Sequence, residues 1–178
     1  MRVDVHTHMW AGEGVPMFLR SYADGRGAGS GVESGAARLL ESMNENGIGA
    51  AVTVALAHSR DMGSDELDRI NQYVSEQVAL APDRLIGFCA VDPRADDPVG
   101  DLRAEIEERG ARGLKLHGSM QQIAVDDPLL WPIYETMQEY RLPVLHHAGD
   151  IAGSFPAVTA SRGRPGSTRS DAPSPNSR

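Results

Sequence analysis
Five short apolar runs, separated by four stretches of helical period, constrain this chain more than any other feature. The runs fall at residues 2–8, 49–56, 85–91, 112–117 and 142–147. Between them the spacing predicts four helices. One covers 33–46, with Ala37, Leu40, Met43 and Asn44 on one face and Gly47 as its stop. Ser64 or Asp65 caps the next, which carries Leu67, Ile70, Val74 and Val78 and ends at Ala81-Pro82. A third covers 96–109 with Leu102 and Ile106 facing in, and Pro128 opens the fourth, carrying Leu130, Ile133, Tyr134 and Met137. Strands alternating with helices build a parallel sheet with crossover connections. The second run is apolar on both faces, as buried parallel strands are. A doubly wound sheet and a (β/α)8 barrel both begin this way. Neither GxGxxG nor GxxxxGK[ST] follows the first strand, so the usual nucleotide-binding signature is missing.

At 178 residues the chain is long enough for one domain with a real core and short for two. Its regular pattern ends near residue 153. Of the last 28 residues, 17 are Ser, Pro, Gly or Arg, a composition that cannot bury enough apolar surface to order itself. The expected organisation is therefore a folded part over 1–153 and a disordered tail over 154–178. Residues 9–31 form a glycine-rich loop, long for a simple connection and so a candidate functional segment.

Composition narrows the partners. A net charge of −8 with no basic stripe argues against nucleic acid. No apolar run approaches the length of a membrane span, and the start lacks the layout of a signal peptide. The single cysteine, Cys89, excludes an internal disulfide framework, suits a cytoplasmic location, and reads as a buried, inert thiol.

The polar residues gather at the C-terminal ends of the strands, the catalytic face if the sheet closes into a barrel. In Val3-Asp4-Val5-His6-Thr7-His8, alternation sends His6 and His8 to one face, with Val3 and Val5 expected to bury the other. Two imidazoles on adjacent same-side positions make a chelating pair; the plain alternative is two ordinary histidines at a strand end. In Gly113-Leu114-Lys115-Leu116-His117, Lys115 and His117 share a face while Leu114 and Leu116 point the other way. Lys115 is the only lysine among 17 basic residues. A lysine aimed into a strand bundle is costly unless paired, neutralised or metal-bound. It therefore either forms a salt bridge to an inward carboxylate such as Asp4 or serves the site. His146 and His147 point to opposite faces, and alternation alone does not say which one is inward. His58 reads as a surface loop residue, Asp92 as a turn residue, and Trp10 and Trp131 as packing or pocket-wall residues.

Taken together these segments resemble the amidohydrolase superfamily. The nearest branch is the amidohydrolase-related metal-dependent hydrolases, which include decarboxylases of the aminocarboxymuconate-semialdehyde and resorcylate type. Val3–His8, Pro82–Phe88, Gly113–His117, Asp127-Pro128 with Tyr134-Glu135, and Leu142–Gly149 carry the likeness, in family order over about residues 1–153. The resemblance implies a partial TIM (β/α)8-type barrel: five parallel β/α units followed by the disordered tail. It implies one divalent metal, Zn2+ as first choice and Mn2+ as the alternative, with His6, His8 and His147 as ligands and His146 facing outward. Lys115 and His117 match a strand-4 pair at the pocket and are the catalytic candidates. A strand-6 histidine and a strand-8 aspartate are also implied. Residues after about Ala160 offer neither, and Ser161–Ser167 reads as an out-of-frame translation or a C-terminally truncated gene.

The resulting expectation is a metal-dependent hydrolase or decarboxylase acting on a small carboxylated or cyclic substrate and impaired by truncation. The alternative is a non-catalytic remnant that binds metal or a partner. The expected partner is a small molecule, with neither nucleic acid nor membrane involved and homo-oligomerisation left open.

Overall fold
A computed structural model describes residues 1–10 and 35–148. The expected tail and most of the glycine-rich loop lie outside these residues. The elements run in strict alternation: β1 (Val3–Thr7), α1 (Ala36–Glu45), β2 (Ala50–Val54), α2 (Ser64–Ala79), β3 (Leu85–Phe88), α3 (Pro98–Glu107), β4 (Leu114–His117), α4 (Gly118–Gln121), a 3-10 turn (Pro128–Leu130), α5 (Trp131–Glu139) and β5 (Val144–His147). Four of the helices and all five strands are those expected from the spacing. The short α4 is the addition.

All pairings are parallel. β2 lies between β1 and β3, with Val52 opposite Ile86 and Val54 opposite Phe88. β4 pairs with β5, placing Lys115 opposite Leu145 and His117 opposite His147. The two sheets join at a single bridge between Cys89 and Leu114. There Cys89 N donates to Gly113 O at 3.0 Å and Lys115 N donates to Cys89 O at 2.7 Å. The strand order is therefore sequential from β1 to β5, as in the first part of a (β/α)8 barrel.

Alternation sorts the side chains into two layers. Outward residues pack under the helices. Ala51 and Leu85 meet Ala36 and Met43 of α1. Ala55 and Ala90 join Leu67, Ile70 and Val74 of α2. Leu114 and Leu116 pack with Leu102 of α3 and Leu130, Ile133 and Met137 around α5. Inward, Val52, Val54 and Phe88 form a cluster against Ile86 and Leu145. That cluster spans β2, β3 and β5, which identifies it as the interior of a curved sheet. Gly113 completes it: a Cβ there would stand 2.5–2.6 Å from Phe88 ring atoms, so the ring lies where a side chain would be.

Several local expectations are corrected. Val3 and Val5 are 45% and 62% exposed rather than buried. Among the described residues β1 pairs only with β2, and neither valine belongs to a hydrophobic cluster there. Trp131 is exposed, because it opens α5 on the face opposite Leu130, Ile133 and Met137. Neither Ser64 nor Asp65 caps α2. Gly63 holds that position without a side-chain bond, and Asp65 and Glu66 sit in the first turn, where the helix dipole favours negative charge. Caps do form at α3, where Asp97 Oδ1 accepts from Gly100 N, and at Asp127, which accepts from Leu129 N.

Gly113→Ala is expected to force Phe88 out of its place and destabilise the protein by ~1–3 kcal/mol. A chemical-denaturation midpoint unchanged from the wild type would contradict this packing.

Candidate active site
The site lies on the inner face at the C-terminal strand ends, where the apolar interior gives way to imidazoles. β4 fixes the centre. Leu114 and Leu116 are fully buried under α3 and α5, so Lys115 and His117 are turned inward, as the alternation predicts. On β5, Leu145 belongs to the inner cluster, so His147 shares its inward face. His146 points outward, where its Nε2 lies 2.8 Å from the Tyr134 hydroxyl on α5. The ambiguity that alternation leaves between the two histidines is thus resolved by packing.

His117 and His147 stack, with ring centroids 3.9 Å apart and planes 12° from parallel. His6 and His8 stand 5.1 Å apart at the end of β1, and Trp10 stacks on His8 at 5.2 Å and 14°. A shift in register between Asp4 and Thr7 bends β1 just below these rings. Lys115 is close enough to His6, His8 and His117 that its charge helps depress their basicity.

Hydrogen bonds fix the protons on two of the rings. His8 Nδ1 lies 3.2 Å from the Val54 carbonyl, which can only accept. The proton is therefore on Nδ1, and in the neutral ring the lone pair is on Nε2, the arrangement of a metal-binding histidine held by a backbone carbonyl. His117 has the opposite arrangement. Its Nδ1 accepts the Met120 N–H at 3.3 Å and lies 3.5 Å from Ser119 Oγ, capping α4. A ring nitrogen that accepts carries no proton, so neutral His117 bears its hydrogen on Nε2. Gln121 supports this end of β4: its Oε1 accepts from His117 N at 2.9 Å, and its Nε2 donates to Val91 O at 2.8 Å. The sequence offers no periodic signal for Gln121 or for the cap on α4, because both depend on where the chain turns after β4.

Burial sets the electrostatics. Desolvation, with His6 and Lys115 nearby, pushes His8 down to about 4. Desolvation, with the His147 and Lys115 charges, takes His117 down to about 3. His6 is lowered for the same reasons, partly offset by Asp4. Lys115 is only 1% exposed, and its Nζ has no hydrogen-bond partner among the described residues. Desolvation lowers it to about 8. The salt bridge to Asp4 considered from the sequence is not formed.

Among the described residues, no three of His, Cys, Asp and Glu converge closely enough to hold a metal ion. The donor chemistry nevertheless suits a borderline divalent ion in part: His6 and His8 favour the neutral form, and His8 has its ligand nitrogen fixed. The remaining sequence candidates take structural roles. His58 is half-buried and pairs with Glu66 at 3.2 Å. Asp92 Oδ1 accepts from Arg94 N in a turn. Cys89 is buried with its thiol pushed up by desolvation, consistent with an inert group. A groove of about 660 Å³ lined by residues of α2 and α3 lies elsewhere, and its Arg109 is engaged by Asp68 and Glu105.

The chain belongs to the amidohydrolase family, which it matches over residues 3–176. No curated protein matches it. Its fold is that of several solved structures. A 2,6-dihydroxybenzoate decarboxylase from Rhizobium is 18% identical, with a TM-score of 0.64 over 82% of this chain and 49% of that one. A 5-carboxyvanillate decarboxylase from Novosphingobium aromaticivorans, solved with bound manganese, is 21% identical, with a TM-score of 0.61 over 83% and 50%. A 4-oxalomesaconate hydratase from Rhodopseudomonas palustris is 21% identical, with a TM-score of 0.59 over 83% and 52%. The chain therefore spans about half the length of these relatives and adopts a partial TIM-type barrel. Among the described residues no helix is long and apolar enough to cross a membrane.

His117 is buried and His8 half-buried, and both are held neutral, whereas in the unfolded chain they protonate near the ordinary imidazole value of 6.5. Between that pH and about 4 the unfolded state binds more protons than the folded one, so stability falls as pH is lowered through this window. Thermal melts followed by circular dichroism between about pH 7.5 and 4.5 should show a falling midpoint, with a shallower slope in His8→Gln. A midpoint independent of pH would contradict the buried neutral rings.

Proposed function
We propose that this chain carries the first half of the active site of a metal-dependent hydrolase or decarboxylase acting on a small carboxylated or cyclic substrate. The observation that carries the reading is the gathering of His6, His8, Lys115, His117 and His147 on one inner face at the C-terminal strand ends of a family barrel. That is the face on which such barrels do their chemistry. Two structurally similar proteins are decarboxylases and one is a hydratase; one decarboxylase holds manganese.

In this reading His6, His8 and His147 hold one divalent ion, Zn2+ by the preference of imidazole donors or Mn2+ by analogy with the manganese-bound relative. When bound, such an ion polarises a carbonyl or brings a bound water toward neutral ionisation. The chain's own residues do the rest. Val54 orients His8 through its carbonyl, and Trp10 packs the ring from one side. His117 lies flat against His147 and limits its rotation. Lys115 and His117 present polar groups to the substrate side, while Val52, Val54, Phe88 and Leu145 close the interior beneath it.

The alternative reading is a protein that binds metal or a partner without turnover. Metal analysis separates the two when combined with an assay of carbon dioxide release from hydroxybenzoates and of lactone hydrolysis. The enzyme reading predicts about one Zn or Mn per chain, lost in His6→Ala and in His147→Ala, together with turnover that a chelator abolishes. Metal without turnover favours the second reading; neither metal nor turnover overturns the enzyme reading and the metal-binding form of the second.

A further inference from the structure
Among the described residues, the interior of the half-barrel holds a cation with nothing to balance it. Lys115 is 1% exposed, and its Nζ is one of two buried side-chain polar atoms without a partner among the described residues. The other, Thr53 Oγ1, is a neutral hydroxyl. An unpaired buried ammonium is far more costly than an unpaired hydroxyl. The fold does not relieve that cost: Leu114 and Leu116 occupy the outward side of β4, and no described carboxylate bonds Nζ. The neighbouring imidazoles carry no negative charge in either protonation state, so they do not balance it.

Two positions further along the same face stands a donor of fixed direction. Met120 N–H occupies His117 Nδ1, which puts the ring proton on Nε2. The stack on His147 and the Gln121 bond to the His117 backbone hold the ring in place. With this proton placement, His117 donates at Nε2 and offers no lone pair there to a proton or a metal.

We propose that Lys115 and His117 form a carboxylate-binding subsite, with the Lys115 ammonium supplying the charge and His117 Nε2–H supplying direction. A carboxylate gives the ammonium its missing partner and accepts the imidazole hydrogen on its other oxygen, and such charge-assisted bonds are the strong ones. This deepens the proposed function: it rests on the inner face being a substrate site and assigns the substrate's carboxylate to β4 rather than to the metal-binding histidines.

The test uses chelator-treated full-length protein with benzoate as probe and benzamide as its uncharged counterpart. Lys115 is the only lysine, so lysine-selective 13C labelling gives one side-chain Cε signal. Benzoate is expected to shift that signal saturably, and benzamide is not. Lys115→Met should weaken benzoate binding by about tenfold or more, and His117→Phe by about three- to tenfold. Lys115→Met should also melt at a higher temperature than the wild type, since it removes an unpaired buried charge. The imidazole 15N shifts of His117 should report hydrogen on Nε2. A benzoate response that benzamide reproduces, no response at all, or undiminished binding in Lys115→Met would overturn the subsite. Hydrogen on Nδ1 would overturn the role given to His117. Because no metal is present, these outcomes stand apart from the metal analysis: a chain that binds no ion can still bind benzoate, and one that binds an ion can fail to.

Discussion

Lys115 lies in the interior because its neighbours leave it no other place. β4 is covered on its outer side by α3 and α5, and Leu114 and Leu116 fill that contact completely. A parallel strand flanked on both edges has only two faces, so burying one pair of leucines commits Lys115 and His117 to the other. Turning them out would bring the leucines into the polar cluster and strip the core of α5. The burial of two apolar side chains thus holds in place a charge that the protein would not otherwise tolerate. The other site residues face the same interior from β1 and β5, under the same rule of alternation.

Placement by strands gives only the direction of a side chain; the proton positions come from the ends of the strands. His8 and His117 are the same residue type on the same inner face, yet their neighbours assign them opposite tautomers. One meets a carbonyl of the adjacent strand and the other meets the Met120 amide in the first turn of α4. The carbonyl leaves His8 able to coordinate, and the amide leaves His117 able only to donate. The difference arises from how the chain leaves each strand, and it separates residues that composition would treat alike.

Much of this was legible in the sequence, and the misses have physical causes. The strand–helix period located five strands and four principal helices, because each buries a stripe that leaves a regular trace. The inward placement of Lys115 and His117 follows from Leu114 and Leu116 in the same way. Alternation does not distinguish His146 from His147; the resemblance implies His147 as the inward one, and the packing of Leu145 in the inner cluster agrees. The Val3 and Val5 expectation failed because an apolar side chain signals a face that can be covered, not one that is. Gln121 and the cap on α4 escaped notice because one turn of helix has no period to read. Trp131 was misplaced because the helical face, not the residue's size, determines its burial.

The histidines of β1 belong to the three-stranded sheet, while Lys115, His117 and His147 belong to the two-stranded sheet. Backbone bonds at Cys89, Gly113 and Lys115 join the two around a bridge of a single residue pair. With the bond from Arg112 N to Gly87 O at 2.8 Å, three successive main-chain bonds tie β4 to β3. The separation of the two groups of imidazoles is thus set by backbone pairing beneath them, not by any contact between the rings themselves.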